Sequence, residues 1–492
     1  MRWNVWRVLL AVLVFGVFVF RLYLAFHTSV FSYDAYFHLR QVQAIADTGK
    51  PLFEDPFSYP GRMYLFAPLF YYVLAFFAKH LGLEAAAKVI PNLFFSLIPI
   101  VVYWISLKLT QKEWAALVTA FFTALIPQSY AYLINVNPLS LAIPLGLLML
   151  YFLLDFDKRS NIYLAILFAL LLTLTHATVF LFVLGLAFYF SLLSLLKLPK
   201  NPKESEFALF LFFLACWFSF LLYKKAFLTQ GLFFLWQNIP LLLRSEAFGQ
   251  ATFFSALYAV NFIPLLFGLY SIYHALTLRE HSHLFLFVSL VLGVFTLLFF
   301  GLIQVSTGLL FLGYFVVILS GHSLVLFARY MKKTRFPKLS IAFLILFLLL
   351  FILTTLLPMT VTANNHLRDT PASDQIVAFD WLSNHAFPES TILASVKEGQ
   401  ALTYYTHRKN LIDTSLFMMQ DIEQRYTDLV EIFTSPFETP VLEKLKKYHV
   451  NYIYLSNESK KAYPIQPLRF SDENCFRLLY NQSVQIYGVT CL

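Results

Sequence analysis

The sequence predicts a polytopic α-helical membrane protein with a soluble α/β domain at its C-terminal end. Of its 492 residues, 59 % are hydrophobic and 18 % are aromatic, which is more apolar surface than a water-soluble core can bury. Apolar runs are long up to residue 358 and shorten to strand length from 359 to 492. The net charge of +9 does not indicate nucleic-acid binding, because no basic run with interleaved aromatic residues occurs.

The long apolar runs predict about eleven membrane spans, since about 20 residues cross the hydrocarbon core of a bilayer. These runs lie at roughly 5–26, 88–109, 113–127, 138–155, 161–175, 177–196, 205–223, 251–278, 283–303, 307–329 and 338–358. A further run, 65–80, begins near Pro68 and ends in Lys79-His80. We expect this run to lie along the membrane surface or to dip back, because counting it as a span would reverse the side of every later loop.

Basic residues give the predicted orientation. With 65–80 left out, the Lys and Arg residues of the short gaps fall on one side, which the positive-inside rule makes the cytoplasm; only Lys224 and Lys225 depart clearly. We therefore predict a multi-pass plasma-membrane protein whose N-terminus is cytoplasmic. Its extracytoplasmic parts would be the loops at about 27–87, 128–137 and 224–250 and the tail 359–492.

The tail has the pattern of a small α/β domain. Strand-like runs such as Thr391-Ile392-Leu393-Ala394 alternate with helical patterns near 374–385, 417–434 and 439–448. Cys475 and Cys491 could form a disulfide in an oxidising compartment. Two Asn-x-Ser triplets, at 457–459 and 481–483, are either N-glycosylation sites or chance matches.

The first outer loop begins with Ser32-Tyr33-Asp34-Ala35-Tyr36-Phe37-His38-Leu39-Arg40. If 34–47 is helical, Asp34 and His38 share a face, because residues four apart are neighbours. A carboxylate with an imidazole suits a divalent cation, and the Arg40 guanidinium suits a phosphate. The alternative is an Asp at a helix N-cap followed by solvated neighbours.

The second outer loop carries Asn135 and Asn137, which could offer oxygens to one ion. Alternatively, Asn137 could cap the helix that follows Pro138. His176 lies between two predicted spans and could be a structural hydrogen bonder or lie near a phosphate.

In the third outer loop, Arg244 and Glu246 come just before a span. Ionisable groups at this depth are costly unless they are paired or functional. We expect either a catalytic role or a pair of Glu246 with Arg244 or Lys225.

Together these features resemble the catalytic subunit of oligosaccharyltransferase and, more broadly, the GT-C membrane glycosyltransferases that use polyprenyl-phosphate sugar donors. The resemblance runs over nearly the whole chain. It rests most on Asp34-Ala35-Tyr36-Phe37-His38-Leu39-Arg40 and on the segment 391–413, and also on the loop glutamate Glu246.

The resemblance implies that Asp34 binds a metal or orients the acceptor and that Glu246 helps to position the acceptor. The candidate donor-phosphate ligands are then His38, Arg40, Arg244 and His176, and the candidate ligands of a Mg²⁺ or Mn²⁺ ion are Asp34, His38 and Asn137. The acidic motif of the family falls here on Asn135-Val136-Asn137, so two expected carboxylates are missing. A metal would be held weakly or not needed.

A second departure concerns the Trp-Trp-Asp-Tyr-Gly signature, with which the family reads the Ser or Thr of an acceptor sequon. It would fall on Ser395-Val396-Lys397-Glu398-Gly399, where only the glycine matches. Ser, Val and Lys side chains do not build an indole-lined pocket. This favours an acceptor other than a sequon.

We therefore expect a membrane enzyme that transfers a sugar or glycan from a polyprenyl(dolichyl)-phosphate-linked donor to a glycan, lipid or protein acceptor at the outer face, with inversion. Its partners would be that donor, the acceptor and membrane lipids, and not nucleic acid. One alternative is a divergent oligosaccharyltransferase acting on Asn sequons. Another is a lipid or glycan transporter or flippase, which is disfavoured because the polar groups fall in outer loops and not at the bilayer midplane.

Overall fold

The computed structural model describes residues 5–249, 252–278, 282–334, 339–463 and 474–491. The chain forms two compact units. The helical unit comprises Met1–Thr28, Ala67–Leu222 and Ser245–Arg368, and the α/β unit comprises Ser29–Phe66, Tyr223–Arg244 and Asp369–Leu492. The predicted division was a single cut after residue 358, whereas these units are discontinuous, because the segments 29–66 and 223–244 belong to the same unit as the tail.

The described helices, in chain order, are α1 (Val5–Ala25), α2 (Ala35–Thr48), α3 (Leu69–Leu81), α4 (Leu83–Thr110), α5 (Glu113–Ala124), α6 (Leu139–Leu153), α7 (Arg159–Thr173), α8 (Val179–Leu195), α9 (Pro202–Gln230), α10 (Leu241–Ala247), α11 (Phe253–Val260), α12 (Phe262–Leu278), α13 (Ser282–Phe299), α14 (Val305–Lys332), α15 (Leu339–Arg368), α16 (Ser373–His385), α17 (Gly399–Thr406), α18 (Ile422–Thr434), α19 (Glu438–Lys447) and α20 (Asn457–Ala462). Two short 3₁₀ helices cover Pro127–Tyr132 and Gly231–Trp236. The strands are β1 (Glu54–Asp55), β2 (Arg62–Met63), β3 (Thr391–Leu393), β4 (Lys409–Asn410), β5 (Val450–Leu455), β6 (Phe476–Asn481) and β7 (Gln485–Val489).

The helical unit contains the membrane-crossing candidates. Within the described residues, five regions of helix are long and apolar enough to cross a bilayer, namely those of α1, α4, α9, α14 and α15, and the pair α11 and α12, bent by 108°, makes a sixth. Six shorter apolar helices, of 10 to 17 residues, include α3. Counting the bent pair once and leaving out α3 gives the predicted eleven apolar helices. The chain is a multi-pass membrane protein, and the number of spans stays a prediction.

Small residues allow close helix packing in this unit. A Cβ added to Gly185 of α8 would lie 2.4 Å from Leu290 Cδ2, and one added to Gly293 of α13 would lie 3.4 Å from the Gly185 nitrogen. Glycines at such a crossing let two backbones approach where apolar surface alone does not drive association.

The α/β unit is built on a five-stranded mixed sheet in the order β4-β3-β5-β7-β6. The strands β4, β3 and β5 are parallel, and β7 and β6 continue the sheet in antiparallel fashion. Its core is formed by apolar side chains of the strands and of α18 and α19, among them Leu393, Leu429, Ile432, Val441, Leu445 and Ile453. The predicted α/β domain is confirmed.

The first outer loop extends this sheet. The Tyr59 amide donates to the Asn410 carbonyl at 3.0 Å, and the Asn410 amide donates to the Phe57 carbonyl at 2.9 Å. The loop thereby covers the edge strand β4, which would otherwise present unpaired backbone groups. At the other end of the sheet, a disulfide joins Cys475 to Cys491, as the sequence allowed.

Candidate functional site

Residues 35–40 of the motif form the start of α2, so the helix considered for 34–47 is present. Residues three and four apart share a helical face, so Tyr33, Tyr36 and Arg40 lie on one side. These three residues are only 2 %, 1 % and 9 % exposed, and we call them the anchoring face. Asp34, which is exposed, and His38, which is half-buried, lie on another side, which we call the open face.

Arg40 has a protein partner in place of the predicted phosphate. Its Nη2 lies 2.5 Å from Asp55 Oδ1 and its Nη1 lies 3.3 Å from Asp55 Oδ2. Asp55 also accepts hydrogen bonds from Tyr64 Oη at 2.7 Å and the Phe57 amide at 3.1 Å. Burial opposes ionisation of Asp55, but the Arg40 charge and hydrogen bonds outweigh burial and lower its pKa. Asp55 is therefore half of a buried ion pair.

A second buried pair continues this network. Arg62 Nη2 lies 2.5 Å from Asp413 Oδ2 and 3.8 Å from Asp55 Oδ2. Two guanidinium groups and two carboxylates thus neutralise one another inside the α/β unit. The sequence analysis did not predict this pair, because Arg62 and Asp413 are separated by 351 positions. The available signal was that charged residues are few in this chain, 13 % of its residues, so that each of these four could have been considered for an ion pair.

The open face presents a carboxylate and an imidazole one turn apart. Asp34 occupies the N-cap position of α2, but its side chain makes no capping hydrogen bond. The alternative in which Asp34 serves as a helix-capping side chain is therefore not observed. The His38 ring packs edge-on against Phe37 with centroids 5.1 Å apart. Neighbours four apart on a helix have Cβ atoms about 5 to 6 Å apart, which lets both side chains reach one bound group.

The segment aligned with the sequon-reading signature is built around a buried carboxyl group. Glu398 is 0 % exposed and accepts hydrogen bonds from Ser395 and Ser456 at 2.6 Å each, from Ser459 at 2.8 Å and from Gln375 Nε2 at 2.7 Å. Burial raises the pKa of Glu398, although the serine hydrogen bonds act in the opposite direction. A carboxyl group held in this way is turned away from any acceptor in solution.

The neighbouring Lys397 is also engaged. Its Nζ lies 2.5 Å from Asp369 Oδ1 and 3.2 Å from Glu458 Oε2, and 5.0 Å from the centre of the Tyr33 ring. Position 397 therefore carries a paired cation where the signature has a carboxylate.

In the third outer loop, Arg244 stacks on aromatic rings. Its guanidinium carbon lies 4.7 Å from the Trp236 ring and 5.8 Å from the Phe233 ring. Among the described atoms, its Nε is buried and makes no hydrogen bond. The Glu246 side chain lies outside what the structure describes, so its predicted role and its pairing with Arg244 or Lys225 stay predictions. Lys225 itself contacts Met63 Sδ at 2.6 Å.

The second outer loop belongs to the helical unit. Asn137 Oδ1 accepts the Leu139 amide at 2.9 Å, which is the helix-capping alternative. Among the described residues, the buried Oδ1 of Asn135 accepts no hydrogen bond. Asn137 therefore has a structural task at the start of α6, and its part in a metal site stays a prediction.

His176 lies in the turn between α7 and α8. Its Nδ1 accepts the Thr178 amide at 3.2 Å, and burial lowers its pKa to about 4. The imidazole is thus neutral at pH 7 and carries its proton on Nε2. A neutral ring in this tautomer can donate one hydrogen bond, as the predicted phosphate contact requires.

Arg21, in α1, is a polar residue that sequence reasoning missed. It is 1 % exposed, and its Nε donates to Asn92 Oδ1 at 3.0 Å and its Nη2 to the Ser129 carbonyl at 3.2 Å. The Phe95 and Tyr130 rings lie 4.7 and 5.1 Å from the guanidinium carbon. Arg21 is the one charged residue in the stretch 8–26, which was the available signal. Its contacts fix the 3₁₀ helix of the second outer loop.

The predicted site residues are divided between the units. Asp34, His38, Arg40 and Arg244 belong to the α/β unit, and Asn137, His176 and Glu246 belong to the helical unit. Within the part of the chain that the structure describes, no three His, Cys, Asp or Glu side chains are grouped as a metal site would need. The convergence of the two sets on one cavity stays a prediction.

Comparison with solved structures places the fold. The archaeal oligosaccharyltransferase AglB from Archaeoglobus fulgidus, in complex with an inhibitory peptide and a dolichol-phosphate, aligns with a TM-score of 0.67 at 14 % identity over 90 % of this chain and 69 % of that chain. ArnT from Cupriavidus metallidurans, bound to undecaprenyl phosphate, aligns with a TM-score of 0.57 at 14 % identity over 99 % of this chain and 98 % of that chain. The protein therefore has the GT-C fold of these two structures, with a helical membrane part and a C-terminal soluble domain.

Within that class, the sequence is similar to one oligosaccharyltransferase. The Dolichyl-phosphooligosaccharide-protein glycotransferase 2 of Archaeoglobus fulgidus is 38 % identical over 102 residues. The match covers 20 % of this chain and 17 % of that relative, so it spans less than a fifth of the relative's length. No family model matches the chain. The predicted resemblance to oligosaccharyltransferase-like GT-C proteins is confirmed.

Proposed function

We propose that the protein is a membrane glycosyltransferase that moves a sugar or glycan from a polyprenyl(dolichyl)-phosphate-linked donor to an acceptor. The observation that carries this proposal is the fold shared with two enzymes whose structures hold a dolichol-phosphate and an undecaprenyl phosphate. Both ligands are polyprenyl phosphates. A donor of that class would place its prenyl chain among apolar helices and its phosphate at the polar loops.

In the proposed reaction, Asp34 is the general base or the group that orients the acceptor. The acceptor heteroatom attacks the anomeric carbon, the bond from that carbon to the donor phosphate oxygen breaks, and the acceptor proton passes to the Asp34 carboxylate. Attack opposite to the departing phosphate inverts the anomeric carbon. Asp34 is exposed at the head of α2, as such a role needs.

Hydrogen-bond donors would offset the charge on the departing phosphate. His38 and Arg244 are proposed for this task, and so is His176 through its Nε2 proton. Arg40 is left out, because Asp55 already satisfies it inside the protein. The role of Glu246 in positioning the acceptor is kept in the proposal.

The described side chains do not fit a complete protein ligand set for Mg²⁺ or Mn²⁺. Asp34 and His38 would supply two ligands, whereas the Asn137 amide oxygen accepts a helix-capping bond. Hard divalent cations favour several carboxylate or carbonyl oxygens. We therefore derive no step through a metal and propose that any metal binds weakly.

The acceptor is proposed to be something other than an Asn sequon. Support comes from the segment 395–399, where Glu398 is buried and Lys397 is paired. The second candidate function is a divergent oligosaccharyltransferase, which the 38 % identity over 102 residues favours. We further propose, from the distribution of Lys and Arg, that the N-terminus is cytoplasmic and the α/β unit extracytoplasmic in the plasma membrane.

Turnover of a lipid-linked donor tests the proposal. Full-length protein in lipid nanodiscs would be given a panel of dolichyl- and undecaprenyl-phosphate-linked monosaccharides, and release of free polyprenyl phosphate would be measured. We expect Asp34→Asn to lower turnover by a factor of about 10² to 10⁴, the usual contribution of a general base. The matched control is Glu54→Gln, an exposed carboxylate of the same loop.

Three results would overturn parts of the proposal. Equal turnover in Asp34→Asn and the parent protein would remove Asp34 from the chemistry. Failure of the parent protein to consume any member of the panel would count against the donor class. Glycosylation of a peptide that contains Asn-x-Thr would establish the second candidate in place of a non-sequon acceptor.

A further inference from the structure

We infer that Glu398 is a positioning residue that sets the place of Asp34 through Gln375 and Tyr33. The inference rests on the proposed function for the role of Asp34. All four residues belong to the α/β unit, and the path between them consists of hydrogen bonds and one peptide linkage. It assigns a task to the segment where the sequon-reading signature is absent.

The path begins with the hydrogen bonds around Glu398. Oε1 accepts from Gln375 Nε2 and Ser456, and Oε2 accepts from Ser395 and Ser459. Each carboxyl oxygen thus receives two donors, which satisfies a buried carboxylate completely. A group satisfied in this way has one preferred geometry, because moving it would leave several buried donors unpaired.

The next link is the side-chain amide of Gln375. Its Nε2 must point to Glu398, which only accepts in this arrangement, and its Oε1 must therefore point to the opposite side. There Oε1 accepts from Tyr33 Oη at 2.7 Å and from the Ala372 amide at 2.8 Å. Gln375 is 4 % exposed, so water cannot readily replace either partner. Glu398 thereby fixes which end of the Gln375 amide faces Tyr33.

The last link is the backbone between Tyr33 and Asp34. The Tyr33 side chain has two partners: its hydroxyl donates to Gln375 Oε1, and Lys397 Nζ lies over its ring, 5.0 Å from the ring centre. Because Asp34 is the next residue and begins α2, a fixed Tyr33 fixes the point from which the Asp34 carboxylate projects. The buried carboxyl group thus controls the exposed one without touching it.

A purely structural role for Glu398 is the competing explanation, because it also holds the start of α20. Ser456 is the N-cap of that helix, and Ser459 lies within it. Ser459→Ala removes one of the four hydrogen bonds to Glu398, on the α20 side, and leaves the other three, including the one from Gln375 that begins the path to Tyr33. It is therefore the matched control.

Kinetics of donor turnover separate the two explanations. Tyr33→Phe removes only the hydroxyl that joins the path, and Glu398→Ala removes its origin. We expect each to lower kcat about tenfold with an unchanged KM for the polyprenyl-phosphate-linked donor, and the double variant to be no slower than the slower single variant, because both cut the same path. Ser459→Ala should lower the unfolding temperature but keep kcat within about twofold.

Multiplied effects in the double variant, or an equal fall of kcat in Ser459→Ala, would overturn the inference. Should Glu398→Ala not fold, Tyr33→Phe compared with Ser459→Ala still decides. Hydrogen exchange of the segment 33–40 gives a second readout that needs no turnover. Faster exchange there in Tyr33→Phe than in Ser459→Ala supports the path even if the proposed transfer reaction fails, and equal exchange in the two variants overturns it.

Discussion

Replacing Asp55 by Asn should destabilise the α/β unit strongly while leaving its shape almost unchanged. Asp55 is 2 % exposed and lies 2.5 Å from Arg40 and 3.8 Å from Arg62. Removing its charge leaves two buried guanidinium groups with only Asp413 to balance them. The Asn side chain also replaces one carboxyl oxygen of Asp55 by an NH₂ group, which cannot accept the hydrogen bonds that this oxygen receives.

The expected loss is about 3 to 5 kcal/mol, the usual effect of removing one member of a buried ion pair. The pH dependence has a definite sign. The folded state lowers the pKa of Asp55 below its unfolded value of about 4, so its contribution is complete above that pH and disappears as the pH falls through the folded pKa. Asp55→Asn should therefore be less stable at pH 7 and should lose less stability on acidification.

Pulse proteolysis of the full-length protein in detergent, along a urea series, would report unfolding of the α/β unit through a C-terminal tag. Glu54→Gln, the exposed neighbour, should stay within about 0.5 kcal/mol of the parent protein. The double variant Arg40→Met with Asp55→Asn removes both charges and should recover part of the loss. Equal stability of Asp55→Asn and Glu54→Gln would refute the reasoning.

Three further predictions concern other parts of the chain. Because burial lowers the pKa of His176 to about 4, the unfolded chain takes up this proton first as the pH falls; thermal stability should fall from pH 7 to pH 4, and less so in His176→Gln. Because two expected carboxylates are replaced by Asn135 and Asn137, EDTA should leave donor turnover within about twofold. Cys475→Ser combined with Cys491→Ser opens a loop with a separation of 16 residues and should destabilise the α/β unit by about 3 kcal/mol in the same pulse-proteolysis assay.

The outcomes that contradict these predictions are distinct. An unchanged pH profile in His176→Gln would mean that its proton does not matter to folding. Loss of turnover in EDTA, restored by Mn²⁺, would show a metal site completed by groups beyond Asp34 and His38. Unchanged stability of the cysteine double variant would mean that the strand pairs around β7 hold this end alone.

Local pattern was enough to predict many of the helices and one helix cap. The apolar runs predicted α4, α6 and α14 to within a few residues of their ends. The four-residue spacing of Asp34 and His38 indicated that the two side chains would share a face if this segment were helical. The Asn137 cap was one of two alternatives, and its hydrogen bond to the Leu139 amide shows that it is formed. Helices and helix caps depend on residues that are a few positions apart, so their spacing can be taken directly from the sequence.

Features set by distant packing were not predictable. The guanidinium of Arg40 suited a phosphate by its chemistry, but only the fold shows that its face is buried against Asp55. Arg62 forms an ion pair with Asp413, which is far away in the sequence. No local sequence pattern predicts this pair. Arg21 was hidden by the apolar run that contains it, because hydropathy averages conceal a single charge.

The discontinuous α/β unit has a consequence for biosynthesis. Its first segment, Ser29–Phe66, is made before most membrane helices, and its last, Asp369–Leu492, is made after them. During the synthesis of the intervening chain, Arg62 has no Asp413 and the loop at 57–59 has no β4 edge to cover. A chain that ends within the helical unit therefore contains Arg40, Asp55 and Arg62 but lacks Asp413, the second carboxylate of the network. The sheet edge and the second carboxylate that the early segment contacts are therefore supplied only when the tail has been made.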